Sequence, residues 1–445
     1  MKNTKYIAFS LCALLALTGC GGRRGGGGTS SSSVPDVVPS TDSSGNFIFE
    51  NVKITYGNPI TGADGAHMRK LVADFNKEYQ GQIEVSESYL TETSYYEALE
   101  LTIPMNRGYD VSLIHSYKVA SYANKDLLIP LNDAIATSKI DVSRENYLTN
   151  VYDACTFDNK QYGIPLDIHT TLLYYNKDLL DKYNLEVPTN RAELLNACSK
   201  MPNSNSGGWG LPLSVEWPSE YIYTTALYQN GGKELNAEGN PGFNTPEGKK
   251  ALKTMTDIIH TYKYSPTNVN VDGDLTMFCQ GRAMFHIQGD WMLQSVKDSG
   301  VNFGVTSLSN MFSDTTTEYS DDVYARSHVF AIPKNRKLTT EKTQAILTFI
   351  KYIAEHAYIW AESGHIPANN AARQTDEYAA LPYHGSFGNL DSYRLNEPSP
   401  YYYEGYSPVF ARVTTALSKA DANIDSEFEE AYGEGVDAII MAKES

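Results

Sequence analysis

Lys160-Gln161-Tyr162-Gly163-Ile164-Pro165-Leu166-Asp167-Ile168-His169-Thr170-Thr171-Leu172-Leu173-Tyr174-Tyr175 reads as a strand that leaves one folded half of the chain and enters another. It is an apolar run interrupted by Gly163 and Pro165, as suits a segment crossing between lobes. A second apolar run, Tyr324 to Pro333, is expected to be the return crossing. Two such strands joining two α/β lobes form a hinge, with a ligand cleft between the lobes.

Upstream of the crossing, Val52, Ile54 and Tyr56 alternate as in a strand with one buried face, and Gly57 to Gly65 reads as a loop. Met68, Leu71, Val72, Phe75 and Tyr79 then fall on one helical stripe, with Asp64 placed to cap it. A strand over 83–89, a helix near 95–105 and a strand over 109–115 continue the rhythm. Such βαβ alternation predicts a parallel sheet covered by helices. Downstream, helices are expected around 252–262, 346–360 and 425–441, with Gly433 and Gly435 weakening the last.

The chain has 445 residues, enough for two large lobes, and 41% apolar with 20% charged residues is an ordinary globular balance. With 36 basic and 53 acidic residues the formal charge is −17, which argues against nucleic acid as the partner. Tyrosine is abundant, at 32 against 15 Phe and 4 Trp. Its apolar face and hydroxyl suit half-wet grooves as well as cores.

Lys2 and Lys5 precede an apolar stretch from Ile7 to Leu17, shorter than the ~20 residues that a membrane-crossing helix needs. It closes with Leu17-Thr18-Gly19-Cys20, which resembles the lipobox of bacterial lipoproteins. The resemblance implies a signal peptide over 1–19 and a lipid on Cys20. Residues 20–47, rich in Gly and Ser, then read as a tether, whose twenty-five or so residues would span about 25–30 Å. Cys12 and Cys20 belong to this leader; the other three cysteines, Cys155, Cys198 and Cys279, are too few and scattered for a disulfide framework and are expected as small apolar side chains.

Several segments together resemble a family 1 extracellular solute-binding protein, the sugar-binding component of a bacterial ABC importer. They are Ile54-Thr55-Tyr56-Gly57 with Phe75-Asn76-Lys77-Glu78-Tyr79; Tyr109-Asp110-Val111 with Tyr122 to Leu128; Tyr162-Gly163-Ile164-Pro165 with Tyr175 to Leu179; Gly281-Arg282-Ala283-Met284 with Gly289-Asp290-Trp291; Ser327 to Pro333; and Gly364-His365-Ile366-Pro367-Ala368. Asp126 departs from the usual glycine and Asp290 from the usual proline. The resemblance spans about 52–370 and implies a type II periplasmic-binding-protein fold, α/β in class. Residues 48–164 plus 329–382 would form the first lobe and 165–328 plus 383–445 the second. It further implies no catalytic step; no cofactor or metal is expected, since the nine histidines and five cysteines form no metal-site pattern. The expected partners are a sugar and an ABC permease, for a monomer anchored through Cys20 to the outer side of the cell membrane.

A sugar offers hydroxyls and apolar C–H faces, so its site needs flat aromatic rings and fixed polar groups. On the family pattern Trp291 is the leading candidate to stack on the ligand. Asp290 either binds hydroxyls or caps a helix. Trp217 and Tyr221 precede a helix where the family carries cleft aromatics. Asp167 and His169 follow the crossing, and His115 and Tyr117 sit at the C-terminal end of a strand, the ligand side of an open sheet. Asp64, as cap or contact, His328 and Tyr406 complete the set.

Competing motifs fail on their own chemistry. Gly242 to Lys250 is one residue too long for a phosphate loop, and Lys250 stands where Ser or Thr would bind magnesium. Asn268 to Cys279 opens like a calcium loop but ends on Cys279 instead of glutamate. The enzyme alternative is an extracellular carbohydrate hydrolase with paired carboxylates, a pattern that sequence alone leaves open.

Overall fold

The computed structural model describes residues 36–201, 207–335 and 337–444. The leader, Cys20 and most of the tether lie outside the described residues.

Two sheets organise the chain. The first runs, in order, Ile83–Tyr89, Val52–Asn58, Val111–His115, His328–Ala331 and Gly163–Pro165. Its first three strands are parallel, joined through the helices Gly65–Glu78 and Glu92–Thr102, as the alternating pattern predicts. The strand His328–Ala331 lies antiparallel to both of its neighbours. The chain therefore leaves this sheet at Gly163–Pro165 and enters the second at once with Asp167–Asn176.

That second sheet departs from the parallel expectation. Asp167–Asn176 is paired antiparallel with Phe285–Gly289, Phe303–Thr306, Val323–Arg326 and Ile366–Pro367. Tyr393–Arg394 adds a parallel pair, on Val323–Arg326. The reason is the long crossing strand. Its neighbours run opposite to it, and one of them is the returning chain. The return breaks at Ser327, where the strand Val323–Arg326 of the second sheet gives way to His328–Ala331 of the first.

The helices follow their apolar stripes. Gly65–Glu78 buries Met68, Leu71, Val72 and Phe75, and Phe75 meets Phe349 of the helix Thr340–Glu355 edge to face at 5.1 Å. A buried side chain of that size contributes roughly 2–3 kcal/mol of transfer free energy. Thr339 caps the second of these helices by accepting from the Lys342 N–H. The stripe ending at Trp360 divides after Glu355, and Tyr358–Ala361 forms a separate short helix. The last helix, Ile424–Glu444, continues through Gly433 and Gly435. A Cβ on Gly435 would lie 2.7 Å from both the Gly405 carbonyl and Pro241, so a close helix approach requires that glycine.

The decoy motifs have plain causes. Thr245 caps the helix Pro246–Thr256, and in the calcium-like stretch Asn268 and Asp272 take left-handed backbone angles that such residues tolerate. Cys155 and Cys198 are buried and unpaired, and burial pushes both thiols up. Cys279 is half-buried. Among the described residues no helix is long and apolar enough to cross a membrane.

Candidate functional site

Strand register assembles the site. His328 pairs with His115 across the first sheet, and Arg326 pairs with His169 across the second. The break at Ser327 thus sets two cross-strand pairs side by side where the chain passes between sheets. Around them opens a cavity of about 240 Å³. One part of its lining comes from the loop Pro59–Asp64, from Glu92, His115, His328 and His365. The other comes from His169, Trp217, Tyr221, Trp291 and Arg326.

Trp217 and Trp291 are half-exposed, with ring centroids 6.0 Å apart and planes tilted by 33°. Tyr221, in the first turn of the helix Ser219–Gln229, closes on both from behind at 5.4 and 5.6 Å. The three rings make an apolar wall that faces the histidines and the exposed Glu92. Trp291 reaches the cavity because Gly289 ends its strand without a side chain: a Cβ there would lie 2.1 Å from the indole.

Arg326 is the buried cation of the wall. Its guanidinium lies 4.6 Å from the Tyr221 ring centroid and 4.9 Å from that of Tyr117, and it donates to Glu220 Oε1 at 2.9 Å. Nε donates to the Tyr324 hydroxyl at 2.9 Å.

His115 is held neutral. Its backbone N–H donates to the Tyr96 hydroxyl at 2.9 Å, and that hydroxyl lies 2.6 Å from Nδ1. Burial, followed by the charges of His328 and His169, holds the ring well below the usual imidazole range.

Asp167 is fully buried beneath the cavity floor. It accepts from the His328 N–H at 2.8 Å and from Trp360 Nε1 at 2.7 Å, and its Oδ2 lies 2.7 Å from His328 Nδ1. His169 Nδ1 lies 3.2 Å from Oδ1 and His365 Nδ1 3.4 Å from Oδ2. Burial alone would raise this carboxyl, but His328 and His169 overcome it and hold the group well below the carboxylate range. Burial lowers His328, yet the Asp167 charge outweighs it and raises the ring. His169 drops to about 3, through burial and then the neighbouring His328. Asp167, His169, His328 and His365 each bring one metal-ligating atom within 4.8 Å of the others.

Seven sequence candidates line the cavity: Trp291, Trp217, Tyr221, His169, His115, His328 and Asp64. Asp64 precedes its helix but makes no side-chain cap; its Oδ2 turns to His365 Nε2 at 3.4 Å. Burial works to raise it, while the hydrogen bond and charge of His365 and the charge of His328 keep it lowered. Asp290 faces inward, accepting from the Thr170 N–H at 3.2 Å, while its Oδ1 has no hydrogen-bond partner among the described residues. Burial, then the Asp167 charge, pushes this carboxyl well above its ordinary value. Tyr117 stands behind the wall, stacked on His115 at 5.6 Å and 26°. Tyr406 lies away from the cavity, with its hydroxyl 2.9 Å from Thr224 Oγ1 and its ring against Phe410.

Sequence reasoning missed Glu92, Arg326, Trp360 and His365 as site residues. His365 falls inside a stretch that carries the family likeness and Arg326 inside the expected return crossing, but nothing local marked either as a polar group aimed inward. Glu92 opens a surface helix and carries no motif at all.

A model of bacterial extracellular solute-binding proteins matches residues 70–384 of this chain. Over 380 residues the chain is 23% identical to the galactooligosaccharide-binding protein of Bacillus subtilis, covering 82% of this chain and 86% of that protein. Its match to the maltotriose-binding protein of Pyrococcus abyssi is 25% identical and covers 49% of this chain and 45% of that protein. Among solved structures, an ABC substrate-binding protein of Listeria monocytogenes in complex with cycloalternan superimposes with a TM-score of 0.73 at 19% identity, covering 88% of this chain and 99% of that one.

Proposed function

Because the chain belongs to the bacterial extracellular solute-binding protein family, we propose that it captures an oligosaccharide outside the cytoplasm and delivers it to an ABC permease. The carrying observation is the cavity itself. Half-exposed Trp217 and Trp291 offer flat apolar faces, and Asp64, Glu92, His115 and His328 rim them with groups that exchange hydrogen bonds with hydroxyls. The oligosaccharide specificities of the B. subtilis and P. abyssi relatives support the same class of ligand.

We assign the type II arrangement of two lobes, 48–164 plus 329–382 and 165–328 plus 383–445. The change of sheet between Pro165 and Asp167, and again at Ser327, supports the two crossings, with Pro165 and His328 on the first sheet and Ile366–Pro367 paired into the second. Ligand held by both lobes favours a closed cleft by the difference in its affinity for the closed and open states. The closed form is the one offered to the permease. Lipid on Cys20 would keep the monomer at the membrane, and replacing Cys20 by Ala should move the protein from the detergent phase to the aqueous phase on Triton X-114 partitioning.

A thermal-shift screen against mono- and oligosaccharides tests the function. A ligand at 100 times its dissociation constant should add about 2.7 kcal/mol of stability. Chromatography of the same mixtures should recover the sugar unchanged. No shift with any sugar would remove the proposal, and product formation would replace the receptor with a hydrolase.

A further inference from the structure

We propose that Asp167, His169, His328 and His365 form a binding site for a divalent late-transition metal ion at the floor of the cleft. The four side chains are each at most 5% exposed, and their ligating atoms gather within 4.8 Å. Three imidazoles and one carboxylate are the donor set that zinc and its neighbours prefer, whereas calcium and magnesium want oxygen alone.

His365 supplies the decisive detail. Its Nε2 faces Asp64 Oδ2 at 3.4 Å, the partner expected to take that ring's N–H. The ring is held flat against Trp360, at 4.2 Å and 9°. The other nitrogen, Nδ1, is buried without a hydrogen-bond partner among the described residues and points at Asp167 Oδ2 from 3.4 Å. With the ring's proton on Nε2, the Nδ1 lone pair faces a buried carboxylate, an arrangement that a positive charge between them stabilises. A metal ion supplies it, and Asp64–His365 then becomes the carboxylate–histidine pair that orients a ligand from outside. Asp167 is braced in the same way by the Trp360 and His328 N–H groups.

Charge points the same way. Asp64 and Asp167 bring two carboxylates to this floor, and a divalent ion balances both with the imidazoles neutral. His169, His328, His365 and Asp64 also line the open cavity, so an ion has a route in. Asp167 and His169 lie on the strand entering the second sheet and His328 on a strand of the first, so the ion would tie the two sheets at their crossing. The site does not depend on the organic ligand being a sugar.

Cobalt(II) and zinc added to the metal-stripped full chain test this. Cobalt should give the visible d–d bands of a four- or five-coordinate ion at one equivalent, and zinc should bleach them. His365→Gln and His169→Gln should each weaken zinc binding, measured by chelator competition, at least tenfold. Asp64→Ala should weaken it about tenfold. Circular dichroism and metal-free melting confirm that each variant folds. Weak octahedral bands, or none, with the natural sequence would overturn the site whatever the variants do. Affinity unchanged in a folded His169→Gln/His365→Gln double variant would overturn it as well, placing the metal on exposed groups. Loss of sugar binding with the cobalt spectrum intact would sink the oligosaccharide reading and leave the metal site standing.

Discussion

At the residue scale, two side chains separate binding from stability. Trp291 is half-exposed, so Trp291→Ala should abolish the thermal shift given by the best sugar while moving the unliganded melting temperature little. A large fall in that melting temperature would instead make the indole a packing residue. Glu234 is a case of pH. It is buried, accepts from the Tyr402 hydroxyl at 2.6 Å, and burial raises it to about 7. The folded state therefore holds a proton that the unfolded chain releases near its ordinary value of 4.5. Stability from this group is full below pH 4.5 and is lost as pH rises towards about 7. The loss amounts to about 3 kcal/mol. Chemical denaturation at pH 5 and pH 8 should show that loss, and Glu234→Gln should flatten it. An unchanged slope in the variant would assign the pH dependence elsewhere.

At the scale of elements, the end of the strand Phe285–Gly289 positions the aromatic wall. Gly289→Ala would put a Cβ 2.1 Å from the Trp291 ring, and the indole must turn away from Trp217 and Tyr221. An aromatic contact of this kind is worth roughly 0.5–1.5 kcal/mol, so sugar affinity should fall about two- to tenfold by calorimetry while the sheet persists. Unaltered affinity would show that the ligand ignores Trp291. The return crossing has the same logic. Because Arg326 and His328 sit on successive short strands of different sheets, one break at Ser327 delivers a guanidinium to one wall and an imidazole to the other.

For the whole molecule, the prediction is closure. A ligand that bridges both sides of the cavity should lower the radius of gyration measured by X-ray scattering and protect the crossing segments from hydrogen exchange. Trp291→Ala should show neither change at the same sugar concentration. An equal radius with and without ligand, at saturation, would mean that the two sheets do not move against each other.

How much of this was legible follows from the range of each interaction. Apolar periodicity is local, so the first parallel strands and their helices could be read from residues 52–115, and the crossing at 160–175 from its own composition. Trp217 and Trp291 were found because ring type and motif travel together along the chain. The antiparallel second sheet was not legible, since hairpin and crossover partners differ by register set far apart in sequence. The same holds for the floor of the cleft. Asp167 accepts from groups up to 193 residues away, and no local pattern says that a histidine near the end of one motif will face a carboxylate from another. Sequence by itself determined the kind of fold, because helices and strands declare their buried faces over a few residues. Only tertiary structure decided which imidazoles meet, because burial and charge act through space and not along the chain.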